Sequence, residues 1–205
     1  MPFKAHRYDR AGTLMRLILA SSSPRRSELL TAAGIPFIID PAWADETPLQ
    51  GEEAEECVER LALSKARAIL QRHPDDAVVG ADTTVVVDGT MLAKPADDAE
   101  AVQMLRMLSG REHLVLTGIA VVTAGAERTA VERTTVVMSH LRAEDIAWYV
   151  ASGEPRDRAG AYAIQGLASR FIPRIEGSYS NVVGLPVAAV LLLVKEMGLS
   201  GILGE

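Results

Sequence analysis

Three features of this 205-residue chain predict an α/β protein with a mixed sheet. Short apolar runs of strand length alternate with stretches of helical period, and two long β-rich runs are joined by a glycine-containing turn. The first run, Leu17-Ile18-Leu19-Ala20, is apolar throughout, as in a strand buried on both faces. Pro24 suits the first turn of a helix over 24–33, with Gly34 as its C-terminal stop. Residues 36–39 read as a second strand and 40–50 as a polar loop. A long helix is predicted over 52–73, with acids in its first turns, Arg67 and Arg72 late, and Pro74 just beyond.

Two strands, 77–81 and 84–87, then lead through an Asp88-Gly89 turn to a short return ending at Leu92. A helix over 97–108 stops at Gly110, and the β-rich runs 113–123 and 128–139 read as a hairpin. A short helix over 143–151 precedes residues 153–184, whose Gly, Pro and polar content predicts a functional loop region around a strand at 171–175. Residues 186–197 close the chain as a helix, and no internal repeat or low-complexity linker interrupts it.

The length fits one large domain or two lobes sharing a cleft, and 48% hydrophobic with 23% charged residues is ordinary for a soluble protein. A net charge of −6 argues against a nucleic-acid partner, because duplex affinity comes from clustered Lys and Arg. It leaves room for a small anionic ligand in a local basic pocket. The single cysteine, Cys57, cannot form an intrachain disulfide, which points to a reducing, cytoplasmic setting. The best apolar stretch, 185–194, is about half a membrane span and contains Pro186, so no membrane partner is expected. Residues 1–16, with Lys4, Arg7, Arg10 and Arg16, lack the apolar core of a secretory signal. They read as a flexible extension before a domain over 17–205, or as the result of an early start site with Met15 as the alternative.

Ser21-Ser22-Ser23-Pro24-Arg25-Arg26 joins a buried strand to a helix N-terminus, where free N–H groups and the helix dipole attract anions. Serine hydroxyls and two guanidinium groups would add charge-assisted contacts to phosphate oxygens. A capped helix with two solvated arginines is the other reading, and the absence of a glycine-rich Walker pattern excludes a P-loop. Lys65 falls four residues after Leu61, seven after Val58 and four before Ile69, which places it on the apolar stripe of the long helix. It therefore faces a partner or a wet cleft, or else snorkels to solvent.

Asp82 ends an apolar strand, followed by Thr83 and Thr84, and in open α/β sheets the ligand crevice lies beyond strand ends. Its carboxylate suits a divalent cation or a proton taken from water, and equally suits a turn. Asp45-Glu46 supplies a second candidate carboxylate or a solvated loop acid. Lys94, held extended before Pro95, either neutralises phosphate or is an edge-strand lysine. His6, His73, His113 and His140 show no metal-ligand spacing, so any metal is an oxygen-ligated ion such as Mg²⁺ or Mn²⁺. Cys57 reads as a core residue of the long helix, and the scattered aromatics form no base-stacking platform.

The order of several short motifs resembles the Maf-type nucleoside triphosphate pyrophosphatases. They are Ser21 to Arg26, Asp45-Glu46, Leu63-Ser64-Lys65-Ala66, Gly80-Ala81-Asp82-Thr83, Lys94-Pro95 and Leu108-Ser109-Gly110. Thr117-Gly118, Gly153-Glu154-Pro155, the run Ala159-Gly160-Ala161-Tyr162-Ala163-Ile164-Gln165-Gly166, and the run from Gly177 to Pro186 follow in the same order. The resemblance spans residues 17–197 and is specific as an ordered set.

It implies a fold like that of the inosine triphosphate pyrophosphatases, with two lobes around a central cleft, and a homodimer. It also implies hydrolysis between the α- and β-phosphates to a nucleoside monophosphate and pyrophosphate, in nucleotide-pool house-cleaning. Carried over, Asp82 is the catalytic carboxylate, Glu46 and Asp82 hold the metal, and Lys65 and Lys94 surround the triphosphate. Ser21 and Arg25 fall in the phosphate grip. Arg26, Thr83 and Gln165 fall where the branch acting on dTTP and UTP chooses its base. A glutamine amide accepts from N3–H and donates to O4 of thymine or uracil. Arg158 stands where the family usually has Lys, and Ala93 where Gly is common; both are expected to touch rate or selectivity. The alternatives are a triphosphate-sensing regulator of division or septation, and the sister branch acting on 7-methylguanosine triphosphate.

Overall fold

The computed structural model describes residues 15–204, so the extension expected over 1–16 falls almost wholly outside the described residues. Its last residue, Arg16, donates to the Asp76 carboxylate from its backbone N–H at 3.0 Å and from Nη2 at 2.6 Å. The sheet comprises β1 (Leu17–Leu19), β2 (Ile38–Ile39), β3 (Ala77–Val87), β4 (Thr90–Leu92), β5 (Glu112–Thr123), β6 (Ala126–Val137) and β7 (Arg174–Glu176). Its order is β2-β1-β3-β5-β6-β7, with β4 also beside β3. β1 runs parallel to β2 and β3 while the remaining pairs are antiparallel, which is the mixed sheet expected.

The helices are α1 (Pro24–Ala32), α2 (Ala54–Leu70), α3 (Asp98–Leu108), α4 (Ala143–Ala151), α5 (Tyr179–Val183) and α6 (Val187–Glu196). Two expectations need correction. Residues 77–87 are one strand, not two, because β5 pairs with it continuously from Val78↔Val122 to Val86↔Leu114. Asp82 is therefore mid-strand, opposite Gly118, and ends nothing. The strand expected at 171–175 lies at Arg174–Glu176, and α5 follows it, capped by Ser178, whose hydroxyl accepts from the Asn181 N–H.

Packing divides along the shared long strands. At one end, Val79, Ala81 and Ile119 pack on one face of the sheet with Leu30 of α1 and Val190 of α6. On the other face, Ile18, Val78 and Ala120 pack with Ala62, Ala66 and Ile69 of α2. At the far end, Val85 and Val87 join Leu105 of α3, Met138 and Tyr149 of α4. Two lobes thus share β3 and β5.

The edge of β3 that faces away from β5 is paired only at its ends. β1 accompanies it as far as Leu19↔Val79, extended by the Ala20 N–H to the Val79 carbonyl at 2.8 Å. β4 takes over at Val85↔Leu92. Between them, around residues 80–84, no described strand lies on that edge.

α2 lies on β3 and β5 with backbone against backbone. A Cβ on Gly80 would stand 2.1 Å from the Ala62 carbonyl oxygen, and one on Gly118 would stand 2.2 Å from that of Val58. The buried stripe Val58, Leu61, Ala62, Lys65, Ala66 and Ile69 is thereby pressed onto the sheet. Replacing Gly80 by Ala forces the helix outward. Chemical denaturation should show a loss of about 1–3 kcal/mol, the usual cost of overpacking; unchanged stability would contradict the close approach.

His113 is buried on β5 with Nε2 2.8 Å from the Tyr162 hydroxyl, and burial pushes its pKa down from 6.5 to about 4. Between those values the unfolded chain binds a proton that the folded chain refuses, so stability falls as pH falls through this window. The loss approaches about 1.4 kcal/mol per pH unit for one fully shifted group. Thermal unfolding followed from pH 7 to 4 should show a shallower decline for His113→Gln than for the native chain.

Candidate active site

The open stretch of β3 is where the candidate residues meet. Ser21, Arg25, Arg26, Glu46, Lys65, Asp82, Thr83, Lys94 and Gln165 all line one cleft with a cavity of about 310 Å³. Alternation along β3 sends Val78, Gly80 and Asp82 toward α2, and Val79, Ala81 and Thr83 toward the face covered by α1 and α6. Because neither β1 nor β4 covers the edge between them, groups from both faces reach the same opening.

On the α2 side, the Lys65 ammonium donates to Asp82 Oδ1 at 2.5 Å and to Glu46 Oε1 at 2.6 Å. Its side chain is 7% exposed, that of Asp82 14% and that of Glu46 56%. The ammonium is satisfied only because two carboxylates come to it; an isolated buried charge would be costly. Burial drives the Glu46 carboxyl up, but its hydrogen bond to Lys65 and the charges of Lys65, Lys94 and Arg26 outweigh that and hold it below the usual range. The snorkelling alternative for Lys65 is thus replaced by an inward ion pair.

On the opposite face, Arg26 ties three segments together. Its Nε donates to the Gly184 carbonyl at 2.8 Å, Nη1 to Ser21 Oγ at 3.2 Å and Nη2 to Thr83 Oγ1 at 3.2 Å. Burial weakens the hold of this guanidinium on its proton, partly offset by Asp82, which marks it as a desolvated cation facing the cleft. The Thr83 hydroxyl also lies 2.9 Å from that of Thr117, its cross-strand partner on β5. Gly184 follows α5 at φ +125, a backbone angle that L side chains rarely adopt. α5 itself is pinned by buried Asn181, whose amide donates to the carbonyls of Val115 and Glu132 and to Thr134 Oγ1.

At the cleft's far side, Lys94 pairs with Asp157 at 2.6 Å, and Arg25 Nη2 donates to the Asp157 carbonyl at 3.3 Å. Arg25 Nη1 and Arg158 Nε are buried with no partner among the described residues. The Ser23 side chain makes no cap hydrogen bond and the first turn of α1 holds no acid, so its N–H groups face the opening uncapped. Donors without acceptors, gathered at a helix N-terminus, suit a polyanion. Gln165 is exposed at the cleft wall, and its side chain makes no hydrogen bond among the described residues. The sequence motifs contained Thr117, Asn181 and Gly184 without giving them a role, and Asp157 was not singled out. Gly184 and Asp157 line the cleft, while Thr117 and Asn181 support it from behind, Thr117 through its register with Thr83.

Among the described residues no group of three or more His, Cys, Asp or Glu gathers as a metal cage. Glu46 and Asp82 are the carboxylates at hand in the cleft, and their hard oxygens, already drawn to one cation, would fit a hard divalent ion. No helix is long and apolar enough to cross a membrane among the described residues.

A Maf-like protein profile matches residues 16–197. A dTTP/UTP pyrophosphatase of Symbiobacterium thermophilum is 52% identical over 185 residues, covering 90% of this chain and 95% of its own. A dTTP/UTP pyrophosphatase of Koribacter versatilis is 48% identical over 184 residues, with 90% and 95% covered. One of Deinococcus radiodurans is 45% identical over 190 residues, with 93% and 97% covered.

Removing the shared cation tests the electrostatics directly. In Lys65→Gln, Glu46 loses its main charge partner, and its pKa should rise. Carboxyl-detected NMR titration would read this, and an unmoved Glu46 would deny the coupling.

Proposed function

This chain belongs to the Maf-like proteins, and on that premise we propose that it hydrolyses dTTP and UTP to the nucleoside monophosphate and pyrophosphate. The observation that carries the reading is the Glu46–Lys65–Asp82 ion cluster opening onto the unpaired donors of α1, Arg25 and Arg158. One half of the cleft suits activation of water, and the other suits a triphosphate.

In this reading the Ser21–Arg26 loop, Lys94 and Arg158 receive the phosphate chain and offset its charge. Asp82 holds the attacking water in line with the α-phosphorus and takes its proton. The water oxygen bonds to phosphorus as the bridging oxygen of the α–β anhydride departs with its electron pair, so pyrophosphate leaves. Lys65 orients Asp82 for this step through its hydrogen bond to Oδ1. Glu46 and Asp82 would hold a Mg²⁺ or Mn²⁺ ion, which supplies charge neutralisation and acidifies water beside it. Thymine or uracil lies toward Arg26, Thr83 and Gln165, where the Gln165 amide accepts from N3–H and donates to O4. A cytoplasmic homodimer belongs to the same reading.

Pyrophosphate release across dTTP, UTP, the remaining common triphosphates and 7-methylguanosine triphosphate, with Mg²⁺ or Mn²⁺, tests it. dTTP and UTP should be turned over best, and Asp82→Asn should lose about 10²–10⁴-fold in kcat while folding normally. Near-native turnover by folded Asp82→Asn would remove the carboxylate from the mechanism. Binding of dTTP without pyrophosphate release would favour the sensing alternative.

A further inference from the structure

Glu154 lies outside the cleft, in the Gly153-Glu154-Pro155 segment after α4, and takes no part in the chemistry above. Its carboxylate is nevertheless heavily engaged. Oε1 accepts from the Tyr149 hydroxyl at 2.9 Å and from the Ala168 N–H at 3.2 Å, and Oε2 accepts from the Leu167 N–H at 2.9 Å. A Cβ on Gly166 would fall 2.2 Å from Oε2, so the carboxylate lies directly against that residue's backbone. The Tyr149 hydroxyl in turn accepts from the Ala163 N–H at 3.2 Å.

These contacts bracket a two-residue stretch. Ala163 on one side and Gly166, Leu167 and Ala168 on the other are held, and between them stand Ile164 and Gln165, the latter with no side-chain hydrogen bond among the described residues. The point from which Gln165 reaches is therefore set by its backbone, and that backbone is held by Glu154. The grip is firm because hydrogen bonds to an ionised acceptor are roughly twice as strong as neutral ones. It is anchored in the core through Tyr149, which is 1% exposed. Burial, with Glu154 alongside, pushes the Tyr149 phenol pKa up and keeps it a donor.

Orientation matters because cytosine reverses the pattern of uracil, with an acceptor at N3 and a donor at C4. An amide carried on a loose turn samples poses that suit either base, whereas a turn held in place narrows the poses the amide can reach. We propose that Glu154, anchored by Tyr149, is a positioning residue that sets the preference for uracil and thymine over cytosine by fixing the turn that carries Gln165. This rests on the base-reading role given to Gln165 above.

A double-mutant cycle on the full chain tests it. kcat and KM for UTP and CTP, read by pyrophosphate release, are compared for the native chain, Glu154→Gln, Gln165→Ala and the pair, with thermal unfolding of each. Replacing one carboxylate oxygen by an amide nitrogen sets donor against donor at Leu167 or Ala168. The UTP-to-CTP ratio of kcat/KM should fall about tenfold, chiefly through KM for UTP. On the Gln165→Ala background the same change should leave the ratio where Gln165→Ala put it. An unchanged ratio in folded Glu154→Gln, or an equal drop on both backgrounds, overturns the proposal. If Gln165→Ala itself leaves the ratio unchanged, the base-reading role fails first and this inference fails with it. Should Glu154→Gln not fold, Tyr149→Phe, which keeps the carboxylate but removes its anchor, is run through the same cycle and decides by the same criteria.

Discussion

Holding an ammonium out of water demands that its counter-charges arrive at short range and stay there, since desolvation costs several kcal/mol per ion unless it is repaid by close contacts. Lys65 meets that demand with Asp82 and Glu46, and much of the local architecture follows from it. α2 has to lie low enough for its lysine to reach a strand residue. That is possible because Gly80 and Gly118 present no side chain to the helix backbone. The polar loop after β2 has to fold back so that Glu46 completes the pair. Two partners come from rigid elements and the third, 56% exposed, comes from a loop, so the cluster has a fixed half and an adjustable half.

Strand alternation supplies the complementary arrangement. Asp82 and Thr83 are consecutive, so their side chains leave β3 on opposite faces, one toward the ion cluster and the other toward Arg26. In a fully paired sheet those faces would be sealed from each other. Here β1 stops at Leu19 and β4 pairs only from Val85↔Leu92 onward, and the interruption brings both faces to one opening. Arg26 then links the end of β1, the middle of β3 and the end of α5 through three hydrogen bonds. The same guanidinium thus holds the lobe together and lines the cleft.

Much of this was legible in the chain. The 3.6-residue stripe that contained Lys65 left an inward charge or a snorkelling one, and the structure shows the former; the proline-led helix after a buried strand pointed to an anion site or a capped helix, because both signals are local. The continuity of β3 was not legible. Thr83 and Thr84 looked like the end of an apolar run, and only the long register with β5 carries the strand through them. α5 and β7 are too short for a periodic signal and depend on long-range contacts such as Asn181 with Val115 and Glu132. Thr117 and Glu154 were visible only as members of short motifs and not by role, since what they do depends on partners distant in sequence or on backbone N–H groups that sequence does not display.

The interruption along β3 also bears on how the molecule avoids sticking to itself. Unpaired strand edges are templates for other chains, and proteins usually blunt them with charge or cover. This one is only about five residues long, closed at each end by β1 and β4, and walled by Arg26, Asp82 and Lys94. A foreign strand has neither the length nor the apolar surface to dock there, whereas a small, highly charged molecule has both the size and the sign. By dimension and charge the opening suits a small ion better than the strand pairing that leads to aggregation.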